Sequence, residues 1–534
     1  MRYRLVFFYV LVLLTTVSYS AVGDSADTLF LPPIPGSLQK SMGPNAKLGN
    51  IPVASLANYP HPIYGYSGMS GKKSFFYEEA RDKQPLRISA EEKTDIEGRL
   101  IFGDPILFSD GHYYAIGEFM VESAEGIRLI MDLSQLSYSD KLWLIVPDLY
   151  MVYGPFDNAG DQSDETWLPT VYKESVILVL QTDKETLPLL KLKSFLFYYM
   201  PFESFAKALP CPLHIGCVDD PEFQKVSTAV GMLSIPVRNY GEIICTGTLI
   251  NVPETSELEP YLISAHHCFA DTNIRWSAIQ VIWDYRAKDC SGFPFPDPDT
   301  CPVTTGAINL VESECIDGQL IKLIGDIPIG NYGRAYAGWS SNELTSGMTF
   351  YGAHHLEGTA LKSTIGKITK TDTESCMDSL CAEIRYHTIE VLWDEGVTSQ
   401  GSSGSGAFCK DFNYQLVGML SNGPTHNCRD RSRNYDYFAS FRYFYPLIQC
   451  YLKPGTKCEE RADCGGSCFL KTIFSQKSEQ LLFFRQIRSW LGQQGDWGKN
   501  LIKFYYKQSP IWINQSQQNP ILRSTIKTIL TEPE

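Results

Sequence analysis

The stretch Gly401-Ser402-Ser403-Gly404-Ser405-Gly406 sets a serine between glycines, and glycine lets a chain turn tightly through left-handed backbone conformations. On such a turn a hydroxyl is exposed and neighbouring main-chain N–H groups can be aimed at one point, where a tetrahedral oxyanion would form. Alone, a Gly/Ser run reads as a loop or linker. This one is flanked by apolar, strand-like text, with Cys409 and Gln415–Ser421 after it, and a floppy linker inside a β domain is out of place. A second stretch, Leu262-Ile263-Ser264-Ala265-His266-His267-Cys268, offers what a serine nucleophile needs. That is an imidazole held in one place and one tautomer. His267 adjoins Cys268, whose natural partner is Cys245 in Cys245-Thr246-Gly247-Thr248-Leu249-Ile250, so a covalent clamp would hold the ring.

Working outward, strand-like runs fill the chain from Cys211 to about Pro454, as in Ile243–Asn251, Ala278–Asp284 and Gln415–Ser421. No helical pattern is expected among them, and Thr228-Ala229-Val230-Gly231 reads as continuing strand. Ser291–Pro302, with four prolines, reads as a surface loop. From about 95 to 205 the text is again short apolar runs, clearest at Ile127–Leu133, Leu142–Val146 and Val176–Leu180. That segment has no cysteine and must rest on its own apolar core, for which a small β-sandwich is the simplest architecture. Residues 21 to about 60 read as an extended lead-in. The tail after Cys468 has a helical look at Leu481–Leu491 and a lone sequon at Asn514, and no role is assigned to it.

Arg2 and Arg4 precede an apolar run from Leu5 to Val17, followed by Ser18 and Ser20. This predicts a signal peptide over 1–20 and a secreted, extracellular protein. Export places the fifteen cysteines where disulfides persist. Zinc is the competing reading for Cys458, Cys464 and Cys468, but no histidine lies near them. The net charge of -14 argues against nucleic acid. No later run is long enough to span a membrane. No metal, nucleotide or flavin motif occurs, so no cofactor is expected.

Cys245-Thr-Gly-Thr-Leu-Ile-Asn with Ile263-Ser-Ala-His-His-Cys268 resembles the histidine region of trypsin-like serine proteases, and is closest to the bacterial lysyl endopeptidases. Val397-Thr398 before Gly401-Ser-Ser-Gly-Ser405 resembles that family's nucleophile turn. Cys211 and Cys217, followed by Ala229-Val230-Gly231, are similar to the start of its mature enzyme. The likeness covers about 205 to 455. It implies an all-β fold: a protease domain of two six-stranded β-barrels over 206–455, preceded by a small β-sandwich-like domain over 21–205, with a Cys-containing extension over 456–534. The N-terminal domain would be a propeptide or companion, cut between Pro201 and Pro210 and released as a cover, or else a permanent binding module.

The resemblance also places roles. His267 matches the general base, with His266 a structural neighbour, and Ser403 matches the nucleophile. The N–H groups of Gly401 and Ser403 match the oxyanion hole. Asp317 matches the aspartate that orients the imidazole, with Asp326 and Asp284 as rivals. The family's bridges would be Cys245–Cys268, Cys211–Cys428 and Cys217–Cys290. Ser421 and Gly423 lie on the strand that carries substrate along the wall of the S1 pocket. Asp436 matches the carboxylate that would pair with a lysine at P1, the alternative being a surface aspartate. Gly406, Leu356, Ala439 and Ser440 depart from the family pattern, and the last two could reshape S1. The expected function is therefore a secreted serine endopeptidase acting on protein or peptide substrates, with lysine or another basic residue at P1. The alternatives are acidic P1 preference, for which Arg433 is the residue to suspect, and an inactive homologue that binds or adheres.

Overall fold

Runs of β-branched and aromatic residues pack well on pleated surfaces, and they form most of the elements here. The computed structural model describes residues 23–33, 47–48, 51–67, 69, 72, 86–157, 165–200, 212–253, 258–293, 296–376, 384–424 and 434–459. The expected signal segment 1–20, the 201–210 junction, Cys211, Cys428, Arg433, Cys464, Cys468 and the rest of the tail lie outside the described residues, and with them the expected Cys211–Cys428 bridge.

Two sheets form the N-terminal sandwich. One orders Thr166–Trp167, Gly126–Asp132, Lys191–Tyr198 and Ser89–Glu97. The other orders Met151–Phe156, Lys141–Val146, Ser175–Thr182, Tyr113–Val121 and Ile63–Tyr66, with Ile106–Leu107 beside it. Phe195 of the first meets Phe119 of the second edge-on, centroids 5.3 Å apart. A short helix, Val53–Ala57, covers the far face of the larger sheet with Val53 and Leu56.

The first barrel orders Val303–Thr305, Gln280–Ile282, Val230–Val237, Gly241–Leu249, Tyr261–Ser264, Gly318–Leu323 and Ala307–Ser313. Its two outermost members are joined by Gly306 alone, so they are one bent strand and the sheet closes on itself. In the second barrel Gln415–Asn422, Gly406–Cys409, Thr349–His354, Lys362–Cys376, Ile384–Glu395 and Tyr435–Ser440 pair in turn, and the last pairs back onto the first. The fold is all-β, two barrels and a sandwich.

Some elements differ from expectation. Phe441–Leu452 is an α-helix, where no helix was expected. Its Phe441, Phe444, Tyr445, Leu447, Ile448 and Leu452 are buried at helical spacing, but Pro446, a helix breaker in most interiors, masks that pattern in the sequence. Ser227–Ala229 is a 3-10 turn and the strand starts at Val230. Of Ala278–Asp284 only Gln280–Ile282 is strand. The lead-in is not loose: Ser25–Ala26 pairs with Trp339–Ser340, and Leu29–Leu31 with Arg334–Tyr336.

The sandwich is welded to the first barrel. Leu86–Arg87 adds an edge to Ile243–Ile244. Glu242, fully buried, pairs with the equally buried Arg128 and accepts hydrogen bonds from Tyr198 and Ser234. Arg128 also donates to the Ala278 carbonyl at 2.7 Å. Tyr172 N–H reaches Asp299 at 2.9 Å, and Lys173 reaches Asp297 at 2.6 Å. Met232, Ile244, Ile282 and Tyr285 of the barrel share one apolar core with the sandwich. Strand Gly241–Leu249 is buried at every residue, because the sandwich covers its outer face.

These contacts predict that a cut between Pro201 and Pro210 leaves the two parts together. In a Ser403→Ala background, a chain cleaved at an inserted site there should co-elute as one species on size exclusion. Glu242→Ala strands a buried guanidinium, which costs on the order of 3–5 kcal/mol, and should loosen the cleaved pair. Separation of the cleaved chain with Glu242 intact would show the interface to be too weak.

Candidate active site

Strand Tyr261–Ser264 ends in a 3-10 turn, His266–Phe269, and Cys268 in that turn is bonded to Cys245 on the neighbouring strand. The bridge fixes His267. Its Nδ1 donates to Asp317 Oδ2 at 2.8 Å, and its own N–H donates to Asp317 Oδ1 at 2.8 Å. Both carboxylate oxygens therefore grip one residue. The Nδ1 proton is tied to the carboxylate, which leaves Nε2 with its lone pair. Nε2 is buried and has no hydrogen-bond partner among the described residues.

Asp317 sits between Ala307–Ser313 and Gly318–Leu323 with φ +62 and no exposed surface. From the second barrel the Ser421 hydroxyl donates to its Oδ2 at 2.6 Å, and Arg385 Nε lies 3.9 Å away. Burial works against its ionised form. The His267 charge and hydrogen bond, the Arg385 charge and the Ser421 hydroxyl outweigh it, and the pKa falls from 3.8 to about 2. The rivals are elsewhere: Asp284 is paired with Arg334 at 2.9 Å and Asp326 is exposed. His266 donates its N–H to the Asp317 carbonyl.

The turn 401–405 packs against this group. The Ser403 carbonyl accepts from Thr246 N at 2.8 Å and lies 3.9 Å from Cys268 Sγ. Gly401 has φ +84, a conformation that glycine takes without strain, and a Cβ there would fall 2.7 Å from the His355 carbonyl. Among residues 401–405 only Ser403 keeps partial exposure. Ser403 Oγ and His267 Nε2 make no hydrogen bond to each other in the structure, as is common before substrate arrives. The N–H groups of Gly401 and Ser403 make none among the described residues.

Asp436 is 1% exposed, so the surface alternative does not hold. Its Oδ2 accepts from Trp393 Nε1 at 2.5 Å and Thr398 Oγ1 at 2.6 Å. A Cβ on Gly423 would lie 1.9 Å from its Oδ1, so the absence of a side chain at 423 is what lets the carboxylate face that strand end. The Ser421 hydroxyl is bonded to Asp317, and neither that link nor Arg385 was read from the sequence. Cys217 is bonded to Cys290, and Cys450 to Cys458, which takes Cys458 out of any zinc set. Among the described residues no cluster of three His, Cys, Asp or Glu side chains could hold a metal, and no helix is long and apolar enough to cross a membrane.

Two β-barrels with this histidine, carboxylate and serine between them define a chymotrypsin-fold serine protease domain. Residues 205–439 match the family described as lysyl endopeptidase, C-terminal domain, a likeness that supports a serine endopeptidase. The match covers less than half of the chain. No curated protein matches it. Among solved structures, the chain is similar to the HtrA-type protease AlgW with tripeptide, at 14% identity over 44% of this chain and 64% of that one, TM-score 0.30. It is similar also to the Rv3671c protease from M. tuberculosis in its active form, at 13% identity over 47% and 93%, TM-score 0.31.

The depressed pKa of Asp317 has a stability consequence. Its folded value lies below that of an unfolded chain, so its contribution is complete above about pH 4 and is lost as pH falls through about 2. In a Ser403→Ala background, Asp317→Asn should therefore remove about 2 kcal/mol of stability at pH 6. The gap between the two proteins should close between about pH 4 and pH 2. Urea unfolding across that range checks it. A gap independent of pH would mean that the carboxylate is not held ionised by the fold.

Proposed function

We propose that Ser403, His267 and Asp317 form the catalytic triad of a secreted endopeptidase that cleaves after lysine. Ser403 Oγ attacks the scissile carbonyl and His267 Nε2 takes its proton. Asp317 holds the imidazole and stabilises its charged form. The oxyanion is received by the N–H groups of Gly401 and Ser403. His267 then gives the proton to the leaving amine, and a water activated by the same ring hydrolyses the acyl-enzyme. The observation that carries the reading is the His267–Asp317–Ser421 chain of hydrogen bonds across the two barrels. No metal or cofactor has a step in this scheme.

Lysine preference rests on Asp436. A buried carboxylate beside the glycine end of the substrate-binding strand suits a P1 ammonium, which needs a full opposite charge on leaving water. Secretion rests on the first twenty residues and on the bridges Cys245–Cys268, Cys217–Cys290 and Cys450–Cys458. N-terminal sequencing of protein from the medium tests that part.

Ser403→Ala should lower turnover on the order of 10⁴-fold or more while leaving the fold intact. A fluorophosphonate probe should label the wild type and not the variant. Absence of labelling in the wild type would favour an inactive homologue. A peptide-library digest read by mass spectrometry should give cuts after lysine that are lost in Asp436→Asn, with the loss falling on kcat/KM for basic substrates. Cuts after Glu or Asp would sink the lysine reading and leave the triad standing.

A further inference from the structure

The oxyanion donors of a serine protease work only if the turn before the nucleophile holds its peptide planes correctly, and here one short loop grips that turn. The loop runs from the end of strand Thr349–His354 through a 3-10 turn, Leu356–Gly358. Its entry is fixed by buried contacts: Ser402 Oγ and His354 Nδ1 share a hydrogen bond of 2.8 Å, and His355 Nδ1 lies 3.0 Å from the Thr359 carbonyl. Its exit is fixed by Thr359, which donates N–H and hydroxyl to the Leu356 carbonyl at 2.9 and 2.7 Å.

Glu357, between them, has φ +52 and ψ +30, a left-handed conformation that strains any residue with a Cβ. In that conformation its N–H donates to the Gln400 carbonyl at 2.6 Å. Its Oε1 accepts from the Ser399 hydroxyl at 3.0 Å. The Gln400–Gly401 peptide is planar and trans, so its N–H points opposite to its C=O. With the carbonyl drawn to Glu357, the Gly401 N–H is turned away from the loop and makes no hydrogen bond among the described residues. A half-turn of that plane would bury the N–H in the loop and set the carbonyl where the oxyanion must go.

We propose that Glu357 is a positioning residue of the oxyanion hole, holding the Gln400–Gly401 peptide in its competent orientation through a strained main-chain N–H and a side-chain bond to Ser399. This rests on the assignment of Ser403 as nucleophile. The hole is then assembled by contacts within the two barrels, Thr246 of the first holding the Gly401 and Ser403 carbonyls, and needs no newly cut N-terminus. Strain at a non-glycine residue persists where surrounding structure over-determines it, and the fixed ends of this loop supply that.

The test compares Glu357→Pro, which deletes the N–H and forbids the conformation, with Glu357→Gly, which keeps both. Steady-state kinetics use the peptide amide that the wild type cleaves best. Binding is measured for the peptide aldehyde, whose adduct fills the hole, and for the peptide alcohol, which cannot form one. Glu357→Pro should lose about 10²–10³-fold in kcat and in aldehyde affinity, with KM and alcohol affinity within about threefold. Glu357→Gly should recover most of that loss. Should Glu357→Pro fail to fold, Glu357→Ala replaces it. Alanine keeps the N–H but adds strain, and its kcat should fall about fivefold or more below that of Glu357→Gly at equal KM. Equal kcat in the folded variants overturns the proposal. Retained activity in Ser403→Ala would instead overturn the assignment beneath it.

Discussion

A single carboxylate ties the two barrels together at the point where chemistry would occur. Asp317 belongs to the first barrel, as does the His267 it grips with both oxygens, while Ser421 and Arg385 approach from the second. A fully buried charge is tolerated only when its partners compensate the lost water. Here half of those partners come from each side of the cleft. The barrels therefore cannot shift against each other without leaving a bare anion in the interior. That requirement fixes the register of the cleft more tightly than apolar packing alone, which is non-directional.

A second buried carboxylate does comparable work at the back of the molecule. Glu242 is satisfied by Arg128 and Tyr198 of the sandwich and by Ser234 of its own barrel. The strand that bears it also carries Cys245 and pairs with Tyr261–Ser264, which leads into the turn holding His267 and Cys268. A charge so placed favours one docked geometry over the many that apolar surfaces alone would allow. The sandwich is in this sense part of the barrel's core, since Met232 and Ile282 would face water without it.

The strand text was legible wherever local pattern decides structure. Gly126–Asp132, Lys141–Val146, Ser175–Thr182 and Gln415–Asn422 lie within a residue or two of runs that chemistry alone marks as strands. The serine and histidine stretches could be read because turn glycines and a half-cystine leave local traces. What could not be read depends on distant partners. Nothing near Ser421 or Arg385 says that Asp317 will be beside them, and nothing near Glu357 says that its N–H will meet a carbonyl more than forty residues on. Pro446 hid a helix whose apolar face was otherwise regular. The lead-in strands were missed because two or three residues carry no period.

Those lead-in strands constrain the order in which the molecule can be completed. Ala26 is buried against the second half of the protease, and Asp24 bonds Tyr445 and Lys453 at sequence separations of 421 and 429. This segment must wait for residues made more than four hundred positions later, and closing so long a loop is slow. Until then residues 25–31 are an unpaired edge with no partner to shield it. The final seam in this protein is thus sewn by Asp24, and only a chain made past Lys453 can close it.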